Sequence, residues 1–130
     1  MKRNILAVVL VALLLALCGP AETQAAGKIP LIGFLSRRSP PTLANPYPSA
    51  DSFRQGLRDL GYVEGKNILI EHRFAEGVEE RLPGLVAELV QLKVDVIVSA
   101  TLPGIRAAKQ GTKTIPIVMV TPADPVASGL

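Results

Sequence analysis

VDVIVSATLPG, residues 94–104, is the stretch whose reading decides the fold. Val94, Val96, Ile97 and Val98 form a short, mostly apolar run rich in β-branched residues. Bounded by turn residues, such a run reads as a buried strand. It stops at Ser99, Ala100 and Thr101, with Pro103 and Gly104 just behind. Proline is tolerated in the first turn of a helix, so Pro103 to about Gly111 reads as a short helix. A strand passing through hydroxyl side chains into a helix poses a definite question: what is held at the end of that strand?

Working outward, the same grammar repeats. IPLIGFLS (Ile29–Ser36) reads as a strand that is apolar on both faces and ends in a polar residue. Residues 37–48 contain Pro40, Pro41, Pro46 and Pro48 and read as a loop. That length is unusual for a strand-to-helix connection, and long loops are often functional. A helix is expected from Ser49 as N-cap, with Asp51 in its first turn and an apolar stripe of Phe53, Leu57 and Leu60. Gly61 suits the left-handed position that closes it. ILIEHRF (Ile68–Phe74) mixes apolar and charged residues, which places this strand nearer a sheet edge. A second helix follows, with Glu79 and Glu80 before it, Pro83 in its first turn and Leu82, Leu85, Val86, Leu89 and Leu92 on its apolar face. TIPIVMV (Thr114–Val120) is the fourth strand, and TPADPVASGL the loop after it.

The order β-α-β-α-β-α-β predicts an α/β fold, a parallel sheet with helices on both faces. Ligands of such sheets bind beyond the carboxyl ends of the strands. Ser36, Ser99–Thr101 and Thr121–Asp124 all follow strands and should converge on one rim. There they bring hydroxyls, helix-start N–H groups and a carboxylate, which suit a small polar molecule.

The first 25 residues read differently. Met1–Arg3 is short and basic, Ile5–Leu17 is an unbroken apolar run of 13 residues, and TQAAGK offers small residues for cleavage after Ala25. The run is shorter than the roughly 20 residues a spanning helix needs. Residues 1–25 are therefore expected to be a signal peptide, and residues 26–130 the mature chain, exported or periplasmic. An uncleaved anchor and a lipid anchor at Cys18 are the other readings of this segment. Cleavage after Ala25 leaves a mature chain without cysteine, hence without disulfide, thiol nucleophile or thiolate metal ligand. Its 12 basic and 10 acidic residues are interspersed, with no basic block beyond Arg37–Arg38 and few aromatics, which gives nucleic-acid binding little support.

Each candidate has a plainer reading beside it. The Ser36 hydroxyl serves a ligand or closes a turn. Thr101 serves a ligand or caps the helix that opens near Pro103. Asp124 binds an ammonium group or caps a helix beginning at Pro125. Arg37 and Arg38 pair with a carboxylate or are simply solvated. His72, the only histidine, lies inside a strand between Glu71 and Arg73, with no evident partner for catalysis or a metal. GTKT (Gly111–Thr114) lacks the spacing of a phosphate loop and precedes a strand rather than following one. No G-x-G-x-x-G follows a strand, and no Ser–His–Asp set can be assembled. Neither a cofactor nor a metal is expected, nor an enzyme. A flavodoxin-like enzyme would need a phosphate-cradling glycine loop after the first strand, and LSRRSPPTLANP is not one.

SFRQGLRDLGYVEGKNILIEHRFAEG, RLPGLVAELVQLKVDVIV, AAKQGTKTIPIV and DPVASGL together resemble the ABC-transporter substrate-binding protein family related to the tryptophan-binding lipoproteins of bacteria. The resemblance runs from about Ile29 to Leu130. It implies one lobe, the N-terminal one, of a two-lobed periplasmic-binding-protein fold, apparently truncated. It also implies a small-molecule ligand, possibly an amino acid, held in the cleft and delivered to an ABC permease in the membrane. Ser36, Thr101, Leu102, Thr121 and Asp124 are the ligand-binding positions it suggests. Leu102 stands where the family usually has threonine, and Ala123 stands where threonine often precedes Asp-Pro-Val, so two hydroxyls are missing or displaced. A lone lobe offers about half a cleft, so weak ligand binding at most is expected of it. The alternative from another class is a ligand-independent interaction, sensor or dimerising module with the same lobe fold.

Overall fold

The computed structural model describes residues 28–120 and 124–130. The expected leader over residues 1–25, Cys18 and Thr121 lie outside the described residues. Among the described residues four strands alternate with three α-helices: β1 (Leu31–Ser36), α1 (Pro48–Asp59), β2 (Leu69–Phe74), α2 (Leu82–Gln91), β3 (Val96–Ser99), α3 (Leu102–Gly111) and β4 (Ile117–Met119). A short 3₁₀ turn, Glu79–Arg81, leads into α2.

The strands form one sheet in the order β2-β1-β3-β4. All three pairings are parallel, with Leu35 opposite Arg73 and Ser99, and Ser99 opposite Met119. The chain moves one way from β1 to β2 and the other way from β2 through β3 to β4. Crossovers of a single hand then require α1 on one face and α2 with α3 on the other. The core divides accordingly. Ile32, Phe34, Ile68 and Val98 pack with Tyr47 and Ala50 on the α1 side. Leu35 and Ile97 pack with Leu82, Val86, Leu89, Ala107 and Ala108 on the other. Strand alternation explains the split, since neighbours along a strand face opposite ways.

The α/β architecture and the position of β2 at an edge are as the sequence predicts; several boundaries differ. Helix α1 begins two residues early, at Pro48, with Tyr47 rather than Ser49 as N-cap and no side-chain cap bond. Pro48 sits at the first helical position, where its missing N–H and fixed φ are harmless. The helix ends at Asp59, so Leu60 is 77% exposed rather than part of the stripe. The inward-facing stripe is instead Ala50, which is buried, with Phe53 and Leu57 half-buried against the same core. Gly61, at φ +89, closes α1 as expected. Its N–H donates to Arg58 O, and Tyr62 N–H to Leu57 O, the double-bonded left-handed stop that glycine favours. On α2, Leu82, Val86 and Leu89 are buried, while Leu92, past the helix end, is exposed.

Asp95 joins β3 to β1 at the amino ends of the strands. Its carboxylate accepts the Leu31 N–H at 2.8 Å and pairs with Lys28 at 3.1 Å. The Leu31 N–H, and then Lys28, hold its pKa below the ordinary carboxylate value.

Candidate functional site

In a parallel sheet every strand ends on the same rim, so the segments after β1, β3 and β4 share one edge of the molecule. At the boundary between β1 and β3 the chain diverges. After β1 it turns toward β2 on the α1 face; after β3 it turns toward β4 on the opposite face. That divergence opens a crevice at strand ends, the usual ligand position in open α/β sheets. Ser36 ends one strand beside it and Ser99 the other.

The Ser36 hydroxyl is fully buried and already occupied. It accepts the Arg38 N–H at 3.1 Å and lies 3.0 Å from the Tyr47 hydroxyl. Tyr47 comes from the end of the proline-rich loop, is itself buried, and meets Phe34 edge to face at 6.0 Å. The loop is thus folded back over the end of β1. Arg37 and Arg38 are not idle on it. Arg37 pairs with Glu79 at 2.9 Å, while Arg38 lies 4.7 Å from the Tyr47 ring centroid and donates to Asn45.

After β3 the polar groups are left unpaired. Thr101 is the N-cap of α3 by backbone conformation, yet its side chain makes no cap bond. Its Oγ1 and the Oγ of Ser99 are both buried and, among the described residues, without a hydrogen-bond partner. The two oxygens converge on Gly104. A Cβ placed there would stand 2.4 Å from Ser99 Oγ and 2.9 Å from Thr101 Oγ1. A buried hydroxyl with no partner costs roughly 1–3 kcal/mol. Two such groups at the first turn of a ten-residue helix, where the N–H ends carry partial positive charge, form a polar nest suited to an anionic or carbonyl oxygen. Leu102 and Pro103 are the first helical residues beyond it.

Asp124 caps a turn rather than a helix. Its carboxylate accepts the N–H groups of Val126 at 2.9 Å and Ala127 at 3.4 Å. Residues 125–129 are turn, tied to α3 through Arg106, which donates to Ser128 O. Thr121 lies outside the described residues. A shallow hollow of about 240 Å³ lies on the same rim, between the first turns of α2 and α3, walled by Leu82, Pro83, Pro103 and Arg106.

Tyr47 and Gly104 are the members of this region that the sequence did not single out; Ser99 was placed on the rim with Thr101 but not among the ligand-binding positions. A glycine three places after a hydroxyl at a helix start was the available signal for Gly104.

His72 has structural partners. Arg54 donates to its Nε2 at 2.9 Å, and Glu64 lies 3.9 Å away. The ring stacks parallel on Phe74 at 5.9 Å. Burial, and then the Arg54 charge, lower its pKa below 6.5. The accepting Nε2 is therefore unprotonated, which makes His72 a neutral packing group. Among the described residues no cluster of His, Cys, Asp and Glu is placed to hold a metal ion.

Comparison with known proteins bears on this geometry. A family model described as ABC transporter substrate binding protein matches residues 45–130. The tyrosine-binding protein of Clostridioides difficile (strain R20291) is 35% identical over 88 residues, which is 65% of this chain and 26% of the relative. Among solved structures, a ligand-free, open substrate-binding protein with adhesive properties from Clostridium difficile is 28% identical, with a TM-score of 0.63 over 78% of this chain and 34% of the other. A conserved domain protein from Vibrio cholerae is 30% identical, with a TM-score of 0.65 over 79% of this chain and 34% of the other. An ABC domain in complex with L-Trp from Streptococcus pneumoniae, 24% identical, matches in fold at a TM-score of 0.66 over 79% of this chain and 34% of the other. The chain spans about a quarter of the length of its curated relative and a third of the solved ones.

Proposed function

The chain belongs to the ABC transporter substrate-binding protein family, and on that premise we propose that residues 26–130 form the N-terminal lobe of a solute receptor that works outside the cytoplasmic membrane. Residues 1–25 act as its export leader. The solute is a small polar molecule of the amino-acid class, whose carboxylate docks at the start of α3 between the ends of β1 and β3. A permease with an ATPase receives it. A relative named for tyrosine binding and a like-folded protein in complex with L-Trp support the amino-acid class.

One observation carries the reading. Ser99 Oγ and Thr101 Oγ1 are buried, adjacent and, among the described residues, unpartnered at the point where the sheet's connections diverge. Thr101 offers a donor and Ser99 a second, beside N–H groups that α3 leaves unbonded. Ser36 lies in the neighbouring strand and shapes the opposite wall through Tyr47. A ligand held between two lobes favours the closed arrangement by touching both. A single lobe forgoes about half of those contacts, so its own affinity falls to a dissociation constant on the order of 1 mM.

The test is an NMR titration of ¹⁵N-labelled protein with L-tyrosine, L-tryptophan and small polar amino acids. Amide shifts centred on Ser99–Gly104 that saturate in the millimolar range, and vanish in Thr101→Val, are expected. If every amino acid leaves those amides unmoved, the site assignment fails. Micromolar binding by the single lobe would overturn the half-cleft account.

A further inference from the structure

The turn that joins α1 to β2 is tied into a fixed wall. Val63 N–H donates to Asn67 Oδ1 at 2.6 Å, the Asn67 side-chain amide donates to Gly61 O at 3.0 Å, and Gly65 N–H donates to Ile68 O at 2.8 Å. Gly65 takes φ +84 at the tip, a conformation that glycine adopts without a steric penalty. Between this wall, the second half of α1 and the start of β2 lies a hollow of about 240 Å³. Every residue that lines it falls between Arg54 and Ile70, so the hollow is made by this helix–turn–strand unit alone. It is separate from the rim. Ile70 stands opposite Ile32, whereas Phe74 stands opposite Ser36 at the rim. At about 3.3 Å per residue, the two places are ~13 Å apart along β2.

The lining divides by chemistry. Leu57, Ile68 and Ile70 are apolar, with Ile68 buried, and Tyr62 and Val63 stand on the exposed side. The charged members are Arg54, Arg58 and Glu64. Arg54 spends Nη2 on His72 at 2.9 Å. Its Nε is buried and, although 3.4 Å from Glu64 Oε2, makes no hydrogen bond among the described residues. Arg58 donates to the neutral Gln55 side chain at 2.7 Å and pairs with no carboxylate among the described residues. Arg54 and Arg58 are one helical turn apart, hence neighbours on one face of α1. His72 is neutral, so two guanidiniums meet one carboxylate and one positive charge is unbalanced.

The geometry points to this hollow as a second ligand site, for a small amphiphilic carboxylate. A ring or short aliphatic chain packs against Leu57, Ile68 and Ile70, and the single negative charge lies at Arg58, beside Arg54. A guanidinium presents the fork that suits a carboxylate. A monoanion matches the one unbalanced charge. A ring with a short tail matches the volume, since an apolar cavity of about 150 Å³ already takes benzene. Apolar walls with a few convergent polar groups are the usual make-up of a small-molecule site. Neither this site nor the one at the rim needs the other.

NMR titration of the ¹⁵N-labelled chain, as the producing cell processes it, tests the assignment with 3-phenylpropionate, its neutral amide and 3-phenylpropylamine. The acid is expected to shift the amides of residues 57–64 and 68–70, with a dissociation constant on the order of 1 mM. The neutral amide should bind about threefold more weakly, as loss of one exposed charge pair requires, and the amine more weakly still. Arg58→Gln should weaken the acid about threefold and leave the neutral amide unchanged. Val63→Phe should fill the hollow and abolish both, with an unchanged circular dichroism spectrum. Amides of residues 57–70 that stay unmoved at 10-fold the expected constant, about 10 mM, would overturn the inference. So would equal binding of acid and amine, or an Arg58→Gln chain that loses the acid and the neutral amide alike. Shifts confined to Ser99–Gly104 would place the acid at the rim and overturn the second site while leaving the first.

Discussion

Replacing Gly104 with alanine sets two well-understood effects against each other. Gly104 lies in the first turn of α3 at an ordinary helical conformation, since it is not among the glycines of positive φ. On propensity alone, alanine in place of a helical glycine stabilises by about 0.8–1.0 kcal/mol. The added Cβ, however, would sit 2.4 Å from Ser99 Oγ and 2.9 Å from Thr101 Oγ1. The first distance is about 1 Å short of ordinary van der Waals separation. Ser99, at the end of β3, is wholly buried, so its hydroxyl has little room to give way. Overpacking of this kind costs about 1–3 kcal/mol. The net expectation is a loss of roughly 0–2 kcal/mol, taking the propensity gain from the strain. Gly84 of α2 is the matched control, since it occupies the same third helical position and a Cβ there meets nothing within 4 Å. Gly84→Ala should stabilise. Urea unfolding of both variants, and of Gly104→Ala in a Ser99→Ala background, closes the cycle. Removing the serine oxygen should restore the propensity gain, because the remaining Ser99 Cβ is at a comfortable 3.5 Å. If Gly104→Ala stabilises as much as Gly84→Ala, the close approach of the two hydroxyls to α3 is wrong, and the proposed polar nest fails with it.

Three further outcomes follow from the same geometry. His72 is the only histidine, and its pKa is lowered from 6.5 in the folded chain. Its stabilising contribution is whole above 6.5 and drains away as pH falls below that value through the lowered folded pKa, because the unfolded chain takes up the proton first. Urea midpoints measured between about pH 7.5 and pH 5 should fall, and His72→Gln should flatten that slope. Tyr47→Phe removes the hydroxyl that lies 3.0 Å from Ser36 Oγ and should cost about 1 kcal/mol in thermal or urea unfolding. Gly111→Ala places a Cβ 2.4 Å from Val86 Cγ1 where α2 crosses α3, and should cost about 1–3 kcal/mol, recovered in part by Val86→Ala.

Order and type of elements were legible because the apolar period changes so sharply along this chain. VDVIV and LIGFLS read as strands buried on both faces, and β3 and β1 occupy the centre of the sheet. The charges in IEHR marked β2 as an edge, and it is one. Helix ends were less legible where two signals competed. Ser49 has the chemistry of a cap, but Pro48 has the fixed φ of a first helical residue, and the backbone constraint prevailed over the side-chain preference. Leu60 fits a helical stripe by spacing alone. Gly61 stops the helix before that spacing applies, so Ala50 fills the stripe at the other end. TIPIVMV was read as the fourth strand, and the strand observed there is shorter, Ile117–Met119.

The rim shows why a site is harder to read than a fold. Placing Ser36, Thr101 and Asp124 after strands needed only the alternation of elements, whereas deciding which hydroxyl is free requires knowing what reaches it. Ser36 looked as available as Thr101 in sequence, but an aromatic residue eleven positions later folds back to meet it. Asp124 likewise spends its carboxylate on the N–H groups of its own turn. Ser99 was placed on the rim with Thr101 but not among the ligand-binding positions, and the structure puts it at the last position of β3. Its oxygen lacks a partner for a steric reason that no pattern encodes. Gly104 lets α3 descend so close that the hydroxyl is sealed from water and reached by no backbone donor. Sealing without pairing is unfavourable in the isolated lobe, and a ligand oxygen delivered to the start of α3 would relieve it. That relief is differential binding energy of the kind a receptor needs. It predicts that Ser99→Ala leaves the fold as stable as before, or more so, while weakening any solute that docks there.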